Sequence, residues 1–284
     1  MRLSAILVSA LLALPTTAIY AQKGHEGHNH APAVEVPASD ITKNSQWNGK
    51  NVAFLGDSMT DPNNKSTDAH YWSYLSKLIG INPFVYARSG FQWDGIYKKA
   101  EEMRKDRGDE IDAIIIWAGT NDYNHSKPLG NFFTERLDSV NVNGSIQVRK
   151  YRALAMNDTT FCGNINRVMS YLKHNYPTKQ IIIMTPIHRA YAKFSAKNVQ
   201  PDENYANAWG LYIDSYIDVL RQAASVWAVP LIDLYSESGL YPLEENHGQY
   251  FHDSPTDRLH PNANGHYRIA RTIQGKLQTI PPSF

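Results

Sequence analysis

Short apolar runs alternate with longer amphipathic stretches along this chain from residue 50 onward. Five runs have the length and continuous apolar character of buried strands: residues 51–55, 84–87, 113–117, 180–184 and 230–234. The other stretches place apolar residues at helical spacing: residues 71–79, 94–107, 164–176, 206–227 and 262–277. This rhythm predicts an α/β domain in which helices cover both faces of a five-stranded parallel sheet.

Two connections are longer than a compact α/β domain requires, at residues 124–160 and 187–205. The first contains Pro128, Gly130 and Gly144. Long connections in an otherwise economical domain usually shape a binding site. We therefore expect these two segments to border the functional site.

The first 21 residues have the layout of a secretory signal peptide. Arg2 precedes an apolar stretch at residues 3–14, and Pro15 leads into small residues that end near Ala21. The apolar stretch is too short for a comfortable membrane span, and no cysteine near the cleavage site supports a lipid anchor. The sequence predicts cleavage after Ala21 and a secreted or periplasmic protein without a membrane span.

Residues 22–44 are rich in His, Gly, Ala and Pro and have no apolar periodicity, which predicts a flexible linker before a single domain at residues 45–284. The linker contains His25, His28 and His30. Such a cluster can capture a transition metal, but a disordered segment lacks the fixed geometry of a dedicated site. We interpret the segment as a solvated linker and predict no metal site.

Composition narrows the classes of function. The chain has 42% hydrophobic and 19% charged residues, as expected for a globular protein with a substantial core. Its formal net charge of +1 creates no global field that would attract nucleic acid or an anionic membrane. Cys162 is the single cysteine, so no intramolecular disulfide can form. Nothing around Cys162 would activate a thiolate, and we interpret it as a small buried side chain.

A candidate nucleophile follows the first predicted strand, in Gly56-Asp57-Ser58. Ligands bind beyond the carboxyl ends of parallel strands, so Ser58 should face the crevice. A serine hydroxyl needs a neighbouring base. His260, just before the last helix, can supply one, and Asp257 three residues earlier can orient the imidazole. The alternatives are a plain turn at Ser58, a helix cap at Asp257 and a packed loop residue at His260.

Two further motifs follow the second and third predicted strands. They are Ser89-Gly90 and Gly119-Thr120-Asn121-Asp122. A glycine backbone N–H and an asparagine side-chain amide can stabilise the oxyanion that forms during ester hydrolysis. The alternatives are a turn glycine with positive φ at Gly90 and a local turn around Asn121.

The four motifs together resemble the SGNH (GDSL-like) hydrolase family, whose diagnostic blocks carry Ser, Gly, Asn and His in this order. The resemblance spans residues 50–277 and implies a flavodoxin-like three-layer α/β/α sandwich. It implies a serine hydrolase that uses no metal or cofactor, with Ser58, Asp257 and His260 as the catalytic residues. The implied oxyanion donors are the backbone N–H groups of Ser58 and Gly90 and the side chain of Asn121.

The chain departs from the family pattern at two points. Met59 stands where the GDSL motif has Leu, a volume-conserving substitution. The segment Ala87-Arg88-Ser89-Gly90 lacks the Asn that relatives often carry ahead of the glycine. Asp57 and Asp122 are further acids near the site, and the resemblance implies that they hold loops.

These residues predict a two-step acyl transfer in which an acyl-enzyme forms on Ser58 and is then hydrolysed. Trp93, Tyr123 and Trp209 are candidates for stacking on sugar rings. Because secreted members of the family often deacetylate polysaccharides, we expect a carbohydrate O-acetyl esterase that acts on a small-molecule or polysaccharide ester. The alternatives are a lipid or thioester hydrolase that uses the same site, and a carbohydrate-binding protein without activity. The intact set of catalytic residues argues against the last.

Overall fold

The computed structural model describes residues 31–284. Its strands are β1 (Asn51–Gly56), β2 (Asn82–Ala87), β3 (Ala113–Trp117), β4 (Phe133–Val142), β5 (Ser145–Leu154), β6 (Gln180–Met184), β7 (Ala192–Ser195), β8 (Asn198–Gln200), β9 (Leu231–Ile232), β10 (Phe251–Asp253) and β11 (Asp257–Pro261). Its α-helices are α1 (Tyr71–Ile79), α2 (Trp93–Arg107), α3 (Thr120–Asn124), α4 (Phe161–Asn175), α5 (Ile213–Trp227), α6 (Leu234–Glu237) and α7 (Ala263–Leu277). Short 3-10 helices lie at Ala38–Asp40 and Glu245–Tyr250.

The central sheet has the order β2-β1-β3-β6-β9, and every pair in it is parallel. Strands β3 and β6 are buried on both faces. Alternate side chains of the sheet pack against α2, α4 and α5 on one side and against α1 and α7 on the other. Because both faces are covered, the strands are uninterrupted apolar runs, and this is why the sequence reveals them. The predicted three-layer α/β/α fold is confirmed.

The largest boundary difference lies before α5. The sequence predicts a helix from residue 206, but the helix begins at Ile213. The side chain of Asn207 accepts hydrogen bonds from the backbone N–H groups of Trp209 and Leu211. These bonds stabilise a local turn that competes with helical backbone bonding.

Both long connections contain strands. Residues 187–205 contribute β7 and β8 to a second, antiparallel sheet of order β10-β11-β7-β8. Residues 124–160 contain the hairpin of β4 and β5, which pairs from Phe133 with Leu154 to Val142 with Ser145. Its two-residue turn, Asn143 and Gly144, has φ angles of 52° and 82°. An Asn-Gly turn of this kind matches the twist of a hairpin.

The segment before the central sheet contacts the domain from Val34 onward. The backbone N–H of Val34 donates to the hydroxyl of Tyr74, and that of Thr42 donates to the carbonyl of Leu78, each at 2.8 Å. The carbonyl of Asp40 accepts a hydrogen bond from the side chain of Gln274. Residues 34–42 therefore belong to the folded unit, because their backbone groups find partners on α1 and α7 where a flexible linker had been predicted.

The signal-peptide prediction and the cluster of His25, His28 and His30 lie outside the described residues. Between residues 31 and 284, the structure contains no helix with the length and apolar character needed to cross a membrane.

Candidate active site

Ser58 lies on a tight turn that follows β1. The backbone N–H groups of Thr60 and Asp61 donate to the carbonyl of Asp57 and close the turn. A Cβ atom at Gly56 would lie 2.3 Å from the Thr60 hydroxyl oxygen, so only glycine allows this close approach. The turn places Ser58 at the carboxyl edge of the central sheet, where ligands bind in such folds.

His260 and Asp257 lie on β11 of the second sheet, directly before α7. The Nε2 atom of His260 is 2.9 Å from Oγ of Ser58, and its Nδ1 atom is 2.9 Å from Oδ2 of Asp257. The other carboxylate oxygen accepts hydrogen bonds from the backbone N–H groups of Leu259 and His260. The structure therefore brings the three side chains into one continuous hydrogen-bonded row.

The environment of Asp257 favours its charged form. Burial alone would raise the pKa of this carboxyl group, but the hydrogen bonds from the His260 ring and from two backbone N–H groups lower the pKa below its usual value. A carboxylate on Nδ1 fixes the tautomer in which Nε2 can accept a proton from Ser58.

Gly90 and Asn121 line the same cavity as Ser58. Gly90 has a φ angle of 81°, which glycine adopts without strain. The amide nitrogen of Asn121, on α3, donates to Oδ2 of Asp57 at 3.2 Å and to the carbonyl of Phe91 at 3.1 Å. A role for this amide in binding an oxyanion requires that the substrate oxygen replace one of these two acceptors.

Three buried acids hold the loops around the site. Asp61 accepts hydrogen bonds from the backbone N–H and the hydroxyl of Ser89, so it joins the loops after β1 and β2. Asp122 accepts from the backbone N–H of Trp93 at the start of α2. Burial raises the pKa of Asp57 to about 6, against the opposing hydrogen bond from the backbone N–H of Met59.

The site opens into a cavity of about 310 Å³. Its walls include three residues of the segment 187–205, namely Phe194, Asn198 and Gln200. The Phe194 ring lies 5.3 Å from the His260 ring, measured between centroids. Sequence reasoning missed these residues because the length of the segment indicates a region and carries no motif that selects side chains.

The predicted stacking residues do not line this cavity. Trp93 is fully buried in the core at the first position of α2. Tyr123 is also buried, and its hydroxyl donates to the carbonyl of Tyr205. The stacking prediction is wrong for both, because their rings face the protein interior. Trp209 is 63% exposed and donates from Nε1 to the carbonyl of Ser126, but it lies outside the cavity lining.

Cys162 is buried, and burial raises its thiol pKa to about 11. A thiol in this state is a poor nucleophile. Within residues 31–284, no group of three or more His, Cys, Asp or Glu side chains is arranged to hold a metal ion.

Comparison with protein families identifies the family to which the chain belongs. The family model for GDSL-like lipases and acylhydrolases matches residues 54–268, which include Ser58 and His260. The chain belongs to this family. The predicted resemblance to SGNH hydrolases is therefore confirmed, and the protein is an ester-bond hydrolase in general type.

Solved structures show the same fold for this GDSL-family protein. One, a protein from Lactobacillus plantarum, is 24% identical, with a TM-score of 0.62 over 82% of this chain and 98% of its own. Another, described as a possible lipase from Chitinophaga pinensis, is 16% identical, with a TM-score of 0.58 over 81% of this chain and 98% of its own. Comparison with curated proteins finds no match.

Proposed function

We propose that this protein is a serine esterase in which Ser58, His260 and Asp257 form the catalytic triad. The observation that supports this most strongly is the row of hydrogen bonds from Ser58 Oγ through His260 to Asp257, with both distances to the imidazole at 2.9 Å. The row opens into a cavity that a small ester can enter. Geometry of this kind is the signature of an activated serine nucleophile.

The reaction proceeds in two steps. Ser58 Oγ attacks the ester carbonyl while His260 Nε2 takes its proton, and His260 then returns that proton to the departing alcohol. Asp257 stabilises the imidazolium during both transfers. Water activated by His260 attacks the acyl-enzyme and releases the acid. The backbone N–H groups of Ser58 and Gly90 and the amide of Asn121 donate to the oxyanion. None of these steps uses a cofactor.

The substrate that we propose is an O-acetyl ester of a carbohydrate. The cavity volume of about 310 Å³ is at the small end of ligand sites. Five neutral polar side chains contribute to its wall: Asn64, Ser89, Asn121, Asn198 and Gln200. A short acyl group on a hydroxyl-rich alcohol suits such a wall better than a long alkyl chain does. We further propose a secreted or periplasmic location, which rests on the sequence of residues 1–21.

The test compares wild type with Ser58→Ala and with Ser139→Ala, a control at an exposed serine of β4. The assays are hydrolysis of acetyl, butyryl and octanoyl 4-nitrophenyl esters and release of acetate from acetylated xylan. Loss of the nucleophile should lower kcat by at least about 10⁴-fold. The control should match wild type.

Each outcome decides a different part of the proposal. Acetate release that disappears in Ser58→Ala but persists in Ser139→Ala supports both the triad and the acetyl substrate. A preference for octanoyl esters would favour the lipid hydrolase alternative over the acetyl esterase. Ser58→Ala protein with full activity would overturn the triad, and inactive wild type would favour a binding protein.

A further inference from the structure

We propose that Gln200 is a specificity-determining residue that donates its side-chain N–H to an oxygen atom in the alcohol part of the ester, and that Arg189 holds Gln200 in the required orientation. This inference rests on the proposed esterase function. In this proposal the cavity selects esters whose alcohol part carries a hydrogen-bond acceptor a few bonds away from the scissile ester bond.

The second sheet places Gln200 on the same face as the catalytic carboxylate. Ala192 of β7 pairs with Asp257 of β11 on one side and with Gln200 of β8 on the other. Residues paired directly across adjacent strands project to the same face of a sheet. Gln200 therefore lies two strands away from Asp257 in one cross-strand row, and it lines the cavity together with Ser58 and His260.

Arg189 fixes which end of the Gln200 amide faces the cavity. The Arg189 side chain is 1% exposed, and its Nη2 atom donates to Oε1 of Gln200 at 2.7 Å. A flipped amide would bring its own N–H groups against the N–H groups of the guanidinium, where neither side has an acceptor. The carbonyl end of Gln200 is therefore turned to the cation, and the amide nitrogen keeps its two donor hydrogens for another partner.

The surroundings hold the guanidinium in place. Its Nη1 atom donates to the hydroxyl of Thr120 at 3.2 Å, and the ring of Tyr123 lies 5.5 Å away. Burial lowers the pKa of Arg189 to about 10, so the group stays charged at neutral pH. A charged group is costly to bury, and here it contacts two neutral side chains by hydrogen bonds. These contacts hold the guanidinium of Arg189 in place, and the guanidinium in turn orients the side-chain amide of Gln200.

The hydrogen bond to Arg189 is the one side-chain hydrogen bond that Gln200 makes within residues 31–284. Its amide nitrogen thus has donor capacity on the wall of a cavity that also contains the nucleophile. A sugar or polyol ester presents hydroxyl and ether oxygens close to its scissile bond, and these accept such a hydrogen bond. A simple alkyl ester offers only carbon at the same distance.

The test uses two esters of nearly equal shape, 2-methoxyethyl acetate and butyl acetate, which differ by an ether oxygen in place of one methylene. The ether oxygen can only accept a hydrogen bond. Gln200→Glu keeps the size of the side chain and gives Arg189 a carboxylate partner, but it removes both donor hydrogens. The measured quantity is the ratio of kcat/KM for the methoxyethyl ester to kcat/KM for the butyl ester.

We expect Gln200→Glu to lower this ratio about fivefold, the effect of one neutral hydrogen bond. Gln147→Glu makes the same change at a glutamine of β5 that also accepts hydrogen bonds from an arginine, Arg149, but lies outside the cavity lining, so it is the matched control. Its added charge acts on both esters alike, so its ratio should stay within about twofold of wild type. Gln200→Met, which removes the amide without adding charge, should lower the ratio as Gln200→Glu does.

A ratio that Gln200→Glu leaves unchanged, or that Gln147→Glu lowers equally, would overturn the role of Gln200 while the esterase function stands. Wild-type protein that hydrolyses neither ester, nor the 4-nitrophenyl esters, would instead count against the proposed function itself. Thermal melts of each variant check that folding is retained, because a purely structural role of Gln200 would change Tm without changing the ratio.

Discussion

The two long connections of this chain are both predicted to border the functional site, and the structure gives them different positions relative to it. Residues 187–205 form β7 and β8, which extend the sheet that carries His260 and contribute three side chains to the cavity. Residues 124–160 form a hairpin whose strands are ten residues long and largely exposed. None of the residues that line the cavity belongs to that hairpin.

The difference arises from what each pair of strands packs against. Strand β7 is hydrogen-bonded to β11, so the side chains of β7 are held beside Asp257 and His260. The hairpin pairs only with itself, and three of its apolar side chains, Leu137, Ile146 and Val148, are about two-thirds exposed or more. An isolated two-stranded hairpin contributes little stability in water. Length alone therefore does not make an inserted segment part of an active site.

The largest contrast should appear when one carboxylate is changed in each region. Asp257→Asn should reduce kcat by roughly 10⁴-fold, because the amide no longer stabilises the required imidazole tautomer. Asp138→Asn on β4 removes an exposed ion pair with Arg136 and leaves an oxygen that can still accept from the Ser139 N–H, so its kcat should equal that of wild type. Hydrolysis of 4-nitrophenyl acetate measures both variants. Equal activity of the two would contradict the assignment of the triad.

The next contrast compares two exposed apolar side chains. Phe194→Ala should lower kcat/KM about fivefold, since it removes a ring that packs against the ring of His260. Val148→Ala, on the hairpin, should have no measurable effect on kcat/KM. The same ester assay applies, and an equal loss in both variants would show that Phe194 has no special relation to the imidazole.

Acid should distinguish the same two carboxylates in stability. The pKa of Asp257 is lowered in the folded protein, so its charged form adds stability above the usual value of 3.8, and that stability is lost as pH falls through the lowered pKa. Wild type should therefore exceed Asp257→Asn in Tm at pH 6, with a difference that shrinks below about pH 4. Thermal melts between pH 7 and pH 2.5 measure this. For Asp138→Asn, Tm should stay within about 1 °C of wild type.

The smallest effect is expected from shortening the hairpin. Deletion of residues 136–141 and 146–151 joins Glu135 to Val142 and Ser145 to Arg152, and it preserves the alternation of side chains and the Asn-Gly turn. We expect kcat/KM within about twofold of wild type, because the deleted residues contact solvent on both faces. A tenfold loss on small acetyl esters would mean that the hairpin acts on the site.

The sequence predicted the central sheet because strands such as β3 are continuous apolar runs. It also predicted that Ser58 and His260 would lie together, since each belongs to a motif at a recognisable place in the chain. The second sheet escaped prediction because its strands are only three to five residues long, and the pairing that joins its two halves, Ala192 with Asp257, links residues 65 positions apart. A pairing between residues so far apart produces no pattern in the sequence around either residue.

Two other misses have different causes. The hairpin was missed although Asn143-Gly144, flanked by alternating polar and apolar residues, is a pattern typical of such a turn. Trp93 was predicted to stack on substrate because it follows Gly90 closely in the chain. Its side chain points into the core because helix α2 begins there and turns its first residue inward. Neighbourhood in sequence does not determine the direction of a side chain.

The distance along the chain between Ser58 and His260 has a consequence for biosynthesis. The two residues are 202 positions apart: Ser58 follows the first strand of the chain and His260 lies on the last. At about 5 to 20 residues per second, the ribosome adds His260 roughly 10 to 40 s after Ser58. Throughout that interval the proposed nucleophile has no base. Under the proposed mechanism a nascent chain therefore cannot hydrolyse esters, and activity appears only after β11 has joined the fold.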